Sequence, residues 1–175
     1  KKGWNWKRPY GLAALDNEPV VHLNFNEAEN YCKWNKKRIP TKKEWELAAY
    51  TEFRTNNKDG YKFKKSYPYP TGENTLGLNC LNDCNSNYPS KYSKFLLRGY
   101  GHVSTFSTKK GINGLYDMGG NVWEWVDIND NFHKGTKGGS WWYGNNQMIQ
   151  GYNATKPKNM SAVYIGFRCV KDFKN

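Results

Sequence analysis

Long apolar runs are missing from this chain. No stretch of about 18 consecutive apolar residues occurs, so no part of it is expected to cross a membrane as a helix, and any membrane association would need an anchor not seen here. The opening residues, Lys1-Lys2-Gly3-Trp4, show no charged, apolar and small-residue succession, and no secretory leader is expected among them. Histidine is scarce, with three residues, and no Cys-x-x-Cys spacing is present, which leaves a Cys/His zinc centre without support. Internal repeats and low-complexity tracts are absent. The net charge is +12, yet the basic residues make no stripe. Lys36-Lys37, Lys42-Lys43, Lys64-Lys65 and Lys109-Lys110 fall in different segments without interleaved aromatics, so nucleic acid is not an expected partner. An acidic glycan or a membrane surface is a weaker possibility for the lysine-rich exterior.

Rings and turns are what the chain has instead. Its 175 residues include 8 Trp, 13 Tyr, 8 Phe and 17 Gly, a mixture suited to one α+β domain over 1–175 whose core is built from aromatic side chains. Pro19 to Phe25 reads as a short strand. Asn26 then reads as a helix N-cap with Glu29 as capping-box partner, and Ala28, Tyr31, Cys32 and Asn35 share one face of that helix. Arg38-Ile39-Pro40 ends it, and Thr41 with Glu44 opens a second helix whose buried stripe is Trp45, Ala48 and Ala49. Residues 52–112 are crowded with turn formers, among them Asp59-Gly60, Pro68, Pro70 and Thr71-Gly72. Short strands follow over 121–127, 136–143 and 163–170, in a twisted antiparallel sheet. On the first of these, Trp123 and Trp125 alternate with Val122, Glu124 and Val126. Four cysteines, Cys32, Cys80, Cys84 and Cys169, favour disulfides and an oxidising compartment. Cys80 and Cys84 would make a local staple, with a metal site or free thiols as the alternative.

Three separated stretches carry a family resemblance: Gly114-Leu115-Tyr116-Asp117-Met118-Gly119-Gly120-Asn121-Val122-Trp123-Glu124-Trp125, Gly138-Gly139-Ser140, and Gly166-Phe167-Arg168-Cys169. They resemble the formylglycine-generating enzyme (sulfatase-modifying factor) superfamily, as does the run from Arg38 to Ala48. The resemblance covers nearly the whole chain and implies a C-type-lectin-like α+β fold with little regular structure. The family's opening strand and Met-Gly segment are not found before Lys1. An N-terminal piece is therefore expected elsewhere, or another polypeptide completes the fold. The resemblance also implies a Cys32–Cys169 disulfide.

For chemistry, the resemblance implies as much by what is replaced as by what is present. The family's active cysteine pair follows the Gly-Gly-Ser turn, and the matching positions are Tyr143 and Met148. A phenol and a thioether cannot hold copper(I) as a bis-thiolate or exchange with a substrate cysteine, so copper is not expected there. Asp117, Gly120, Val122 and Glu124 match a structural calcium site, in which carboxylate and carbonyl oxygens suit a hard cation. A second calcium site would begin at Asn87 and Tyr88, but its acidic ligand falls at Phe95, which supplies no oxygen. Ser140, Trp142, Tyr143, Asn145, Asn146 and Gln147 lie in the segment that lines the family's substrate groove, and their rings and amides suit a sugar or an extended peptide. The expectation is a catalytically silent, extracytoplasmic module for ligand binding or protein assembly, with calcium as structural cofactor. The alternative is an oxidase or modifying enzyme, of formylglycine or pyoverdine-maturation type, with a reorganised site.

Overall fold

Two helices begin for the same local reason. The side chain of Thr41 accepts a hydrogen bond from the Glu44 amide, and Glu44 accepts one from the Thr41 amide at 2.8 Å. At the other helix the pair is Asn24 and Glu27, not Asn26 and Glu29: Asn24 Oδ1 accepts from the Glu27 amide at 3.0 Å, and Glu27 Oε2 accepts from the Asn24 amide at 2.8 Å. Overlapping box patterns compete here, and burial decides between them. The earlier start places Phe25 inside the helix, where it is buried edge-on against Trp125. Glu29 is left to pair with Lys33 one turn on, at 2.9 Å.

The computed structural model describes residues 2–81, 84 and 101–173. Helix α1 spans Phe25–Trp34 and helix α2 spans Lys42–Tyr50. Four short strands follow: β1 Trp123–Val126, β2 His133–Lys137, β3 Ala154–Pro157 and β4 Ile165–Gly166. Their order in the sheet is β3-β2-β1-β4. β2 pairs antiparallel with both β1 and β3, but β4 runs parallel to β1, with Trp123 opposite Ile165. The sheet is therefore mixed, because the chain after β3 crosses to the far side of β1 before Tyr164 accepts the Trp123 amide.

Other local expectations also shift. Residues 19–24 are not a strand. On α1 the buried residues are Phe25, Ala28 and Cys32, while Tyr31 and Asn35 are exposed. The expected strand over 136–143 ends at Lys137, because Gly138 and Gly139 both take left-handed backbone and turn the chain away. A Cβ at Gly138 would lie 2.8 Å from the Met118 carbonyl oxygen, so no larger residue fits that turn without movement.

β1 is buried on both faces. Trp123 and Trp125 pack with Phe25, Ala28, Cys32, Ile39 and Ile165. Val126 packs with Trp45, Ala49, Tyr50 and Met118. Two disulfides close the chain, Cys32–Cys169 and Cys80–Cys84. In the chain-entropy model the first, across 137 positions, stabilises by about 5 kcal/mol, and the second, across 4, by about 2 kcal/mol. Among the described residues no helix is long and apolar enough to cross a membrane.

Candidate functional site

β1 divides the functional positions between its two faces. On one face Glu124 is 5% exposed and fully engaged. Arg168 donates from Nε to Oε2 and from Nη2 to Oε1, both at 2.6 Å, and Trp45 Nε1 donates to Oε2 at 2.7 Å. Arg168 also donates to the Tyr116 carbonyl at 3.1 Å. Burial works against the guanidinium charge, but the charge and hydrogen bonds of Glu124, with the charge of Asp117, outweigh it and hold Arg168 above its ordinary pKa.

Asp117 lies in the same corner in left-handed backbone. Its Oδ1 accepts from the Thr108 hydroxyl at 2.7 Å and its Oδ2 from the Phe106 amide at 2.9 Å. Burial pushes its carboxyl above the usual carboxylate range, and the charge of Glu124 adds to the rise against those two hydrogen bonds. Asp117 is thus a half-buried carboxyl at the wall of the cavity, held by two hydrogen bonds and facing the charge of Arg168. Glu124, as arranged, is not free to hold a cation: both its oxygens are occupied, and it would contribute only by loosening Arg168. Among the described residues no group of three or more His, Cys, Asp or Glu side chains converges as a metal centre. Calcium here would depend on Asp117 and on backbone oxygens of Gly120 and Val122. The positions of the second calcium site, Asn87, Tyr88 and Phe95, lie outside the described residues.

The other face of β1 leads to the segment after the Gly-Gly-Ser turn. Ser140 is fully buried, its hydroxyl accepting from the Trp142 amide at 3.3 Å and its carbonyl from the Tyr143 amide at 3.0 Å, so it shapes the turn. The two tryptophans separate as expected, although they lie in a turn beyond the end of β2 and not in a strand. Trp141 is buried with Tyr10, Val21 and Val122, and Trp142 is half-buried against Trp141 and Tyr164, with centroids at 5.0 and 5.8 Å. Tyr143 stands edge-on to Trp123 and Tyr164, at 5.6 and 5.8 Å. Burial, the proximity of Tyr143 and a hydrogen bond with it push the Tyr164 phenol up to about 12. Asn145–Met148 form a 3-10 turn with Asn146 exposed, Asn145 and Gln147 half-buried, and Met148 fully buried. Tyr50 fixes that turn by donating to the Met148 carbonyl at 2.9 Å.

Sequence reasoning missed several features of this region. Met148 shares a buried cluster with Leu78, Cys80 and Cys84, and the Leu81 amide donates to the Tyr143 carbonyl at 3.0 Å. The loop carrying the short disulfide is therefore tied to the turn carrying Tyr143 and Met148. Lys137 is buried, donating to Glu46 at 2.8 Å and to the Tyr152 carbonyl, and burial lowers its pKa. A cavity of about 870 Å³ opens on the Glu124 face, lined in part by Tyr31, Phe106, Tyr116, Asp117 and Phe167. None of Ser140, Trp142, Tyr143, Asn145, Asn146 or Gln147 lines it. Only Trp123-Glu124-Trp125 followed by the distant Gly166-Phe167-Arg168 hinted at the ion pair, and nothing local hinted at the cavity.

Comparison with known proteins agrees with this arrangement. Residues 1–173 match the family described as "Sulfatase-modifying factor enzyme 1-like domain". The formylglycine-generating enzyme of Mus musculus is 29% identical over 98% of this chain and 50% of its own length. The inactive C-alpha-formylglycine-generating enzyme 2 of Bos taurus is 35% identical over 69% of this chain and 38% of its own. The chain thus spans half or less of the length of these relatives. Among solved structures, that of CarF superposes with a TM-score of 0.63 at 18% identity, over 90% of this chain and 69% of CarF, a likeness of fold.

Proposed function

The chain belongs to the sulfatase-modifying factor enzyme 1-like family, and from that premise we propose that it is a binding or assembly module without the family's cysteine-oxidising chemistry. One observation carries the reading. At the two positions where the resemblance places reactive cysteines, Tyr143 stands edge-on to Trp123 and Tyr164, and Met148 is fully buried. Neither side chain carries a thiol, so neither can supply a thiolate nucleophile or a thiolate ligand. An inactive relative at 35% identity supports a member of the family without turnover.

The ligand surface in this reading is the half-buried wall of Trp142 and Tyr143 with Asn145, Asn146 and Gln147 beside it. Flat rings flanked by amides suit a glycan or an extended peptide segment of a protein partner. The two disulfides support an extracytoplasmic location. A structural calcium at Asp117, with the carbonyls of Gly120 and Val122, belongs to the same proposal and would neutralise that half-buried carboxylate.

The test is incubation with a cysteine-containing sulfatase peptide, with and without copper, followed by mass spectrometry. An unmodified peptide is the expected result, and conversion of its cysteine to formylglycine would overturn the reading. A second reading, an enzyme with a reorganised site, is favoured by one feature: a cysteine pair lies in the cluster around Met148.

A further inference from the structure

We propose that Asn153 and Asn159 are acceptor sites for N-linked glycans. The inference rests on the extracytoplasmic location proposed above, and it adds a modification that the binding reading does not contain. Asn153-Ala154-Thr155 and Asn159-Met160-Ser161 each place a hydroxyl residue two positions after asparagine, with no proline between, the pattern that an oligosaccharyl transferase recognises. No other asparagine in the chain is followed by Ser or Thr at that spacing. The pattern is short, and what distinguishes these two sites is their placement.

β3 is the outer strand of the sheet, paired with β2 on one side and with no described strand on the other. Asn153 stands just before it, and the chain then alternates. Asn153, Thr155, Pro157, Asn159 and Ser161 are exposed, while Ala154, Lys156, Lys158 and Met160 are half-buried. Asn159 lies in the turn after the strand, which the Met160 amide closes on the Pro157 carbonyl at 2.9 Å. Both acceptor amides and both hydroxyls face solvent, and none of the four side chains bonds to another described residue. Asparagines that build the fold spend their amides inside it. Asn113 donates to the Ala48 and Thr51 carbonyls at 2.9 and 2.7 Å, and Asn121 donates to the Val103 carbonyl at 3.2 Å.

The donor is an oligosaccharide carried on a polyprenyl diphosphate and presented by the transferase. The amide nitrogen of Asn153 or Asn159 forms a bond to the anomeric carbon and loses one proton. The bond from that carbon to the diphosphate breaks, and the lipid diphosphate leaves with the electron pair, so no oxidant or reductant is needed. The hydroxyl of Thr155 or Ser161 positions the acceptor in the transferase and is not consumed. A glycan at each end of β3 shields the open edge of the sheet from pairing with another chain.

The experiment is a peptide map, by mass spectrometry, of the protein from its native source, with free thiols alkylated at lysis and glycans released enzymatically in heavy-oxygen water. Release converts a glycosylated asparagine to labelled aspartate, and labelling of Asn153 and Asn159 is expected. Thr155→Ala should abolish labelling at Asn153 alone, and Ser161→Ala at Asn159 alone. Each should keep an unchanged near-ultraviolet circular dichroism spectrum, because neither hydroxyl is bonded within the fold. Unlabelled Asn153 and Asn159 would overturn the assignment, as would labelling that survives loss of the hydroxyl. The same map separates this failure from that of the location. Intact Cys32–Cys169 and Cys80–Cys84 disulfides beside unlabelled asparagines would leave the extracytoplasmic reading standing, whereas alkylated cysteines would remove both.

Discussion

The Glu124 corner and the Met148 corner are both buried, but they are held together by different forces. Glu124 is held by a guanidinium and an indole N–H, each within 2.7 Å, in a geometry that leaves neither oxygen spare. The Met148 side chain is held by packing among Leu78, Cys80 and Cys84, and its carbonyl is fixed by the Tyr50 hydroxyl at 2.9 Å. A charged corner is intolerant, because removing one partner leaves the other desolvated and unpaired. A sulfur and hydrocarbon corner is adaptable, because methionine fills irregular space without directional demands. The difference teaches where this fold can change its chemistry without losing its shape. The Glu124 corner joins β1, α2 and the segment after β4 at Arg168, while Met148 is anchored to α2 through its carbonyl and otherwise fills space with its side chain.

Breaking the charged corner should have the largest effect. Glu124→Leu strands Arg168 and is expected to cost about 3–5 kcal/mol, read from urea unfolding. A cost below about 1 kcal/mol would show that the pair is solvated enough to be dispensable. Opening the sulfur corner with Cys80→Ala/Cys84→Ala should cost about 2 kcal/mol. Equal costs at the two corners would erase the contrast drawn between them. Trp142→Ala loses ring contacts worth about 0.5–1.5 kcal/mol, so its stability effect is small. Binding of a cross-linked partner or glycan should nevertheless fall, and unchanged binding would move the ligand surface elsewhere.

The smallest effect expected concerns Asp117. Burial raises its folded pKa above the unfolded value, so the folded state holds its proton longer. That contribution is fully present below the unfolded carboxylate pKa and is lost as pH rises through the higher folded one. In a chelator, melting temperature should therefore decline across that window, and Asp117→Asn should flatten the decline. Calcium at Asp117 would oppose it by favouring the ionised form. Identical profiles with calcium and with chelator would remove calcium from this corner.

Legibility in the sequence tracked the distance over which each feature is decided. Thr41 and Glu44 could be read as a capping box because three residues settle it. Asn24 and Asn26 could not be ranked, since burial of Phe25 against Trp125, a hundred residues on, selects the first. The family motifs located β1, the Gly-Gly-Ser turn and the last strand, and with them the pairing of Cys32 with Cys169.

Composition and motif order were enough for the α+β class, the ring-built core and the two early helices. Tertiary structure alone decided that Glu124 is spent on Arg168 and Trp45, that Trp141 is core while Trp142 reaches the surface, and that Cys80 and Cys84 meet Met148. The physical reason is that capping and turn formation are short-range events within a few residues. A carboxylate's partner and a sulfur's neighbours, by contrast, are fixed only when segments 44 to 79 positions apart are packed and desolvated together.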